Sequence, residues 1–278
     1  MAYKSILTVV STEGHQRQLE AAIEITRRED AHLDVFCLGV DHSQTGYYYA
    51  GASAYVFQES IDKAMAAAED LEASVRKRLG SEDIRWSVES AVAQVGGLTT
   101  LIGMRARFSD LVVLTRPYSE NASPDAEAVT EAALFEGAAA VLIVPEGKLP
   151  ADFGSRILIA WSQSEEAMTA VRRAMPLLKA AERVEIAVVD PSPHGPERSD
   201  PGGPLCQMLT RHGVKAEIAV LARTLPQISD IISHRATEIG ANLIVMGAYG
   251  HSRFREAILG GTTRNMLGKT QLPILMAR

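Results

Sequence analysis

The stretch VMGAYGHSRFREAILGGTTRN, residues 245–265, decides how the rest of the chain is interpreted. An apolar run ends at a glycine, and a basic segment then leads to a second pair of glycines and to threonines. Glycine at a strand end lets the backbone approach a ligand and adopt positive φ, and the following helix offers unpaired N–H groups to an anion. The stretch therefore favours a phosphate site, although the same glycines would also suit a tight turn and close helix packing. The candidate phosphate-binding residues are Gly247, Gly250, His251, Arg253, Gly260, Gly261 and Thr262.

The composition of the chain narrows the class of protein. With 278 residues, two domains are expected. The hydrophobic fraction of 46% is ordinary, and no apolar run approaches the length of a membrane span. A net charge of −6 argues against non-specific electrostatic binding to nucleic acid or to an acidic membrane. Two scattered cysteines and the absence of a signal-like start predict a cytoplasmic protein.

Short aliphatic runs alternate with segments of helical period, and the series occurs twice along the chain. Runs that are apolar at nearly every position predict strands buried on both faces of a parallel sheet. The predicted strands are 6–10, 33–40, 84–89, 111–114 and 141–144 in the first half, and 157–160, 184–189, 214–220, 243–246 and 274–276 in the second. The predicted helices include 16–29, 58–79, 165–181, 225–239 and 252–267.

This alternation predicts an α/β fold of two tandem doubly wound domains, each with a five-stranded parallel sheet. Prolines, glycines and charges over 145–155 mark a linker, so the domains are predicted at 1–147 and 154–278. Ligands of such folds bind outside the carboxyl ends of the strands, where Gly247 stands. The final strands of both halves are short and apolar, and they are expected to pair with each other.

The spacing Gly247-x2-Gly250-x9-Gly260, after ANLIVMG and before LPILM, resembles the nucleotide-binding signature of universal stress proteins in their tandem-domain form. The resemblance implies the adenine nucleotide alpha hydrolase-like fold and an adenine nucleotide, ATP or else ADP or AMP, in the second domain; Mg²⁺ could accompany ATP. Pairing through the last strands and a homodimer also follow from the resemblance. The ends of the first two strands of that domain would flank adenine, at Ala160, Trp161, Ser162 and Val189.

The sequence departs from the family pattern in three places. Gly261 stands where the pattern has serine or threonine, and Ser162 stands where many ATP-binding members have aspartate. In the first half, Thr115-Arg116-Pro117-Tyr118 replaces the glycine motif, and Pro117 also lacks an N–H donor. The first domain is therefore predicted to hold a degenerate nucleotide site.

Other candidate residues keep two interpretations each. The loop with Tyr47 to Tyr49 either stacks on a ligand or partner or packs over its own domain. Arg116 either contacts an anion or forms a surface salt bridge, Asp190 either meets ribose or caps a turn, and Trp161 either stacks or belongs to the core. The histidines have no ligand spacing, so no metal site is predicted.

No catalytic residue stands out from the sequence. A P-loop is absent, and no lysine or carboxylate pair is placed for phosphoryl transfer. The expected function is a stress-response module that binds a nucleotide. A slow ATPase and an interaction scaffold with a vestigial site remain the alternatives.

Overall fold

The structure is a computed structural model, and it describes residues 2–11, 15–42, 54–120, 122–145, 149–191, 199–248 and 261–278. By spatial contact these residues form two compact units. The first unit contains 3–114 and 120–139, and the second contains 140–278 together with residue 2 and the short segment 115–119. The final strand of the first half therefore belongs with the second half. The domain limits 1–147 and 154–278 stay a prediction.

Within the described residues, the first unit is a parallel sheet with four α-helices. Its strands are β1 (Ser5–Val10), β2 (His32–Asp41), β3 (Arg85–Gln94) and β4 (Leu111–Thr115), in the order β3-β2-β1-β4. The helices are α1 (Gln16–Glu29), α2 (Ala54–Leu79), α3 (Leu98–Ala106) and α4 (Ala126–Phe135). The first strand pairs in parallel with a neighbour on each side, as a doubly wound sheet requires.

The second unit repeats this arrangement and adds two strands. Its strand order is β5-β10-β9-β6-β7-β8, and its helices are α5 to α9. The strands are β5 (Ala140–Val144), β6 (Arg156–Ala160), β7 (Arg183–Val189), β8 (Ala216–Leu221), β9 (Leu243–Gly247) and β10 (Ile274–Ala277). The helices are α5 (Glu165–Arg173), α6 (Met175–Ala180), α7 (Gly203–Arg211), α8 (Ile228–Glu238) and α9 (Gly261–Lys269). β5 pairs antiparallel with β10, whereas the other neighbouring strands in this unit are parallel.

The sequence pattern explains the elements well. All ten predicted strands are present, with ends shifted by a few residues, and the central strands are buried throughout, as continuous apolar runs require. The predicted helix 165–181 is divided into α5 and α6, with a proline in the first turn of α6. The predicted α/β fold class is confirmed. Within the described residues, no helix combines the length and apolarity that a bilayer crossing needs.

Candidate functional site

The carboxyl ends of three neighbouring strands in the second unit define the candidate site. Ala160, at the end of β6, lies in register with Ala187 of β7 on one side and with Met246 of β9 on the other. From β6 the chain continues to β7 and β8, which lie next to one edge of β6. It later returns to β9, which pairs with the other edge of β6. The site is therefore the topological switch point of this sheet, the usual ligand position in open α/β folds.

A cavity of about 460 Å³ opens at this point, a volume in the range of small-molecule sites. Its lining divides into an apolar floor and a polar rim. The floor consists of Ala160, Trp161, Ala187, Val188, Val189, Pro191, Ile228, Ile232 and Met246, and the rim consists of Ser162, Gln163, Ser164, Asp190, Gly247, Gly261, Thr262 and Thr263.

The sequence-predicted site residues meet in this cavity wherever the structure describes them. The seven described members line it: Ala160, Trp161, Ser162, Val189, Gly247, Gly261 and Thr262. The other four, Gly250, His251, Arg253 and Gly260, lie outside the described residues. The role of all eleven as nucleotide ligands stays a prediction.

Gly247 is required by packing rather than by positive φ. The described glycines with positive φ are Gly154, Gly202, Gly213 and Gly240, and Gly247 is not among them. A Cβ atom at Gly247 would lie 2.5 Å from the backbone nitrogen of Ala167 in α5. The missing side chain lets the first turn of α5 lie directly against the end of β9, which keeps that helix terminus beside the cavity.

Two helix N-termini border the cavity, and they differ in charge. α5 is capped by Ser164, whose hydroxyl accepts from the backbone N–H of Ala167 at 3.1 Å, and its first turn carries Glu165 and Glu166. α9 begins at Gly261, and its first turn carries no acidic residue. Because an anion is stabilised by unpaired N–H groups and repelled by carboxylates, the N-terminus of α9 suits an anion better than that of α5 does.

Backbone strain is present at the cavity. Gln163 and Asp190 have φ of 59° and 48°, and they follow β6 and β7 respectively. Positive φ at non-glycine residues is sparsely populated and is typical of functional loops. The two conformations place both residues on the rim of the same cavity.

The structure bears on two residues that kept two interpretations in the sequence, Trp161 and Asp190. Trp161 lines the cavity but is only 6% exposed, so most of its ring belongs to the core. Asp190 is exposed on the rim, where it is the single charged residue among the described lining residues. A carboxylate in that place accepts hydrogen bonds, so hydroxyl groups of a ligand suit it.

Sequence reasoning missed the contribution of a helix to the floor. Ile228 and Ile232 of α8 lie one turn apart and both line the cavity. Their i, i+4 spacing within the predicted helix 225–239 marks an apolar face, but not the partner of that face. Among the described residues, no group of three His, Cys, Asp or Glu side chains is arranged to hold a metal ion.

Comparisons with known proteins agree with this arrangement. A family model described as "Universal stress protein family" matches residues 155–278. A universal stress protein of the cyanobacterium Synechocystis is 33% identical over 72 residues, which are 26% of this chain and 24% of that protein. The sequence match thus spans about a quarter of that relative.

Solved structures extend the similarity of fold to the whole chain. A universal stress protein from Archaeoglobus fulgidus superposes with a TM-score of 0.72 at 16% identity, covering 98% of each chain. A functionally unknown protein from Pseudomonas aeruginosa gives a TM-score of 0.57 at 15% identity, covering 99% of this chain and 92% of the other. At these identities the similarity concerns the fold alone.

Proposed function

We propose that residues 155–278, which match the universal stress protein family model, bind an adenine nucleotide, with ATP as the expected form. The observation that carries the proposal is the convergence of the predicted ligand residues. Seven residues chosen from the sequence, distributed from 160 to 262, line one cavity at the switch point of the sheet.

The chemistry of the cavity fits the parts of a nucleotide. The apolar floor at Ala160, Val189 and Ile232 suits a flat base, and the exposed carboxylate of Asp190 suits the ribose hydroxyls. The amides of Gly261 and Thr262, at the start of α9, suit the phosphates. The protein is then a cytoplasmic stress-response module that senses or stores a nucleotide, and it is not primarily an enzyme.

Gly261 offers a clean test because a side chain there has room among the described residues. A Cβ atom at Gly261 has no described neighbour within 4 Å, yet the residue lines the cavity. We expect Gly261→Val to fold normally and to weaken ATP binding at least about tenfold, or about 1.4 kcal/mol, by filling phosphate space. Isothermal titration of the full chain with ATP, ADP and AMP measures this effect.

Gly97 provides the matched control. It caps the N-terminus of α3 in the first unit and is also free of neighbours within 4 Å of an added Cβ. Gly97→Val should leave affinity and stoichiometry unchanged, with one nucleotide per chain. Two sites per chain, or full affinity in Gly261→Val, would show that the nucleotide binds elsewhere.

The same proteins distinguish the two alternative functions, a slow ATPase and an interaction scaffold. Release of phosphate by the wild type, lost in Gly261→Val, would identify a slow ATPase. A wild type that binds none of the three nucleotides would favour an interaction scaffold.

A further inference from the structure

The segment 115–119, which follows β4 in the first half, contacts the helix that borders the nucleotide cavity. In the sequence this segment replaces the glycine motif of the second half, and in the structure it belongs to the second unit. Its side chains Arg116 and Tyr118 both reach α9. We call residues 115–119 the clamp segment.

Arg116 contacts the C-terminal end of α9. Its Nη1 donates to the backbone carbonyl of Thr270 at 3.2 Å, and Thr270 N in turn donates to the carbonyl of Met266, continuing the helical pattern. A guanidinium at this end of a helix satisfies an orphan carbonyl and interacts favourably with the helix dipole. The buried Nε of Arg116 has no acceptor in the described part of the chain, so the Thr270 carbonyl is the contact that fixes the group. Neither alternative from the sequence, an anion or a surface salt bridge, describes this contact.

Tyr118 packs against the side of the same helix. The guanidinium of Arg264 lies 5.3 Å from the centre of the tyrosine ring, within cation–π range. One turn later, a Cβ atom at Gly268 would be 4.0 Å from the Cβ of Tyr118. Residues 264 and 268 share one helix face, so Tyr118 contacts α9 along a full turn.

The opposite side of α9 is held by α8. The hydroxyl of Ser233 donates to the sulfur of Met266 at 3.7 Å, and Asn265 and Lys269 both donate to the side chain of Gln227 just before α8. α9 therefore lies between the clamp segment and α8. Its first residues, Gly261, Thr262 and Thr263, line the cavity.

We propose that Arg116 and Tyr118 are positioning residues for the nucleotide site. They fix α9 from its C-terminal end and its side, and the N–H groups at its N-terminal end are thereby held in place for phosphate. This inference rests on the proposed nucleotide binding. It also gives the degenerate motif of the first half a role in the site of the second.

The test uses the full chain with Arg116→Ala and Tyr118→Leu. Each variant should weaken ATP binding roughly tenfold. Each should also raise hydrogen exchange of the α9 amides in the nucleotide-free protein. Tyr118→Phe keeps the ring and should restore both affinity and protection to near the wild-type level.

Arg107→Ala is the matched control. Arg107 Nη2 donates to the carbonyl of Glu136 at 3.2 Å, which is the same type of contact at the C-terminal end of α4 in the first unit. Its loss should leave ATP affinity and α9 exchange unchanged.

Each outcome decides between the two proposals. If the wild type binds ATP and the clamp variants bind equally well, the positioning role is wrong and nucleotide binding stands. If the wild type binds no nucleotide, the proposed function fails, and the clamp is overturned as well when α9 exchange is unaffected by Arg116→Ala and Tyr118→Leu. An effect of Tyr118→Phe as large as that of Tyr118→Leu would overturn the contribution of the ring.

Discussion

The first four strands of the two halves have the same spatial order, but the carboxyl ends of these strands carry different chemistry. In the first unit, side chains bridge this edge. The hydroxyl oxygens of Ser11 and Ser123 lie 3.1 Å apart, within hydrogen-bond distance. The hydroxyl of Ser60 donates to the carboxylate of Asp41 at 2.6 Å. In the second unit, the corresponding edge carries Ala160, Gly247 and Gly261, and a cavity opens there. Small residues at the edge of the second sheet leave room for a ligand. At the edge of the first sheet, hydroxyl and carboxylate groups hydrogen-bond to one another instead.

The comparison also shows that the halves are not equivalent copies. The residues after β9 lead into the cavity helix, whereas the residues after β4 support that helix from outside. Gly247, at the end of β9, lines the cavity, and its counterpart segment after β4 contributes structural contacts.

The largest expected effect comes from separating the second half from β5. Ile274, Leu275 and Met276 of β10 are completely buried and pair with Val141 to Ile143. A chain that begins at residue 154 loses this cover, so we expect it to self-associate or to aggregate. Size-exclusion chromatography with light scattering measures the change. A chain that begins at residue 140 is the control, and a stable monomer from residue 154 would contradict the expectation.

A buried ion pair distinguishes the two halves at one register position. Glu185 of β7 lies opposite Leu158 and is 1% exposed, and Arg235 donates to both of its carboxylate oxygens, at 2.6 and 2.8 Å. This pairing holds the pKa of Arg235 above its ordinary value. Arg235→Met should lower the free energy of unfolding by about 3 kcal/mol, because it leaves a buried carboxylate without its partner. Urea denaturation measures the loss.

Asp34 provides the control for this pair. It occupies the same register in the first unit, opposite Leu7, but its side chain is 44% exposed. Asp34→Asn should cost less than about 0.5 kcal/mol, as is usual for surface changes. Equal losses in the two variants would mean that burial does not distinguish these carboxylates.

Exchanging the residues that end the fourth strand of each half tests the packing at the cavity. Gly247→Thr installs the residue that stands at position 115, and its Cβ would overlap the backbone of α5. We expect a loss of about 1–3 kcal/mol in stability and weaker ATP binding, because α5 must move. Thr115→Gly should not create a second nucleotide site. Calorimetry of both variants measures their melting temperatures. A normal melting temperature in Gly247→Thr would contradict the expected overlap between its Cβ and α5.

The smallest expected effect concerns Asp125, which lies before α4 and 3.6 Å from His42. Burial raises the pKa of Asp125, and the charge of His42 opposes that shift. Since the folded state favours the protonated carboxyl, this contribution to stability is present at pH values below the ordinary pKa. It is lost as the pH rises through the raised value. Asp125→Asn should therefore stabilise the protein slightly at pH 7, by less than about 1 kcal/mol, and have little effect at pH 4.

The measurement is urea unfolding of both proteins at the two pH values. Glu131, whose pKa is also raised by burial, contributes equally to wild type and variant and cancels in the difference. Destabilisation at pH 7 would show that the ion pair with His42 outweighs the cost of burial.

The sequence alone determined where the strands and most helices lie along the chain, and it selected residues on both the floor and the rim of the cavity. Apolar runs such as 243–246 indicate a strand that is buried on both faces, and this pattern lies within a few consecutive residues. Gly247, Gly261 and Ala160 stand at predicted strand and helix ends, which the switch-point rule brings to one place. The spacing of the glycines indicated the resemblance to universal stress proteins.

Only the tertiary structure decided which distant residues meet. In the sequence, Ile228 and Ile232 resemble any apolar helix face. Glu185 lies in a buried strand, and only the packing of α8 supplies its partner, Arg235. The contact of Arg116 with Thr270 joins residues 154 positions apart. A side chain's type reports what it can bond to, but its partner depends on how separate elements pack, and no local pattern encodes that choice.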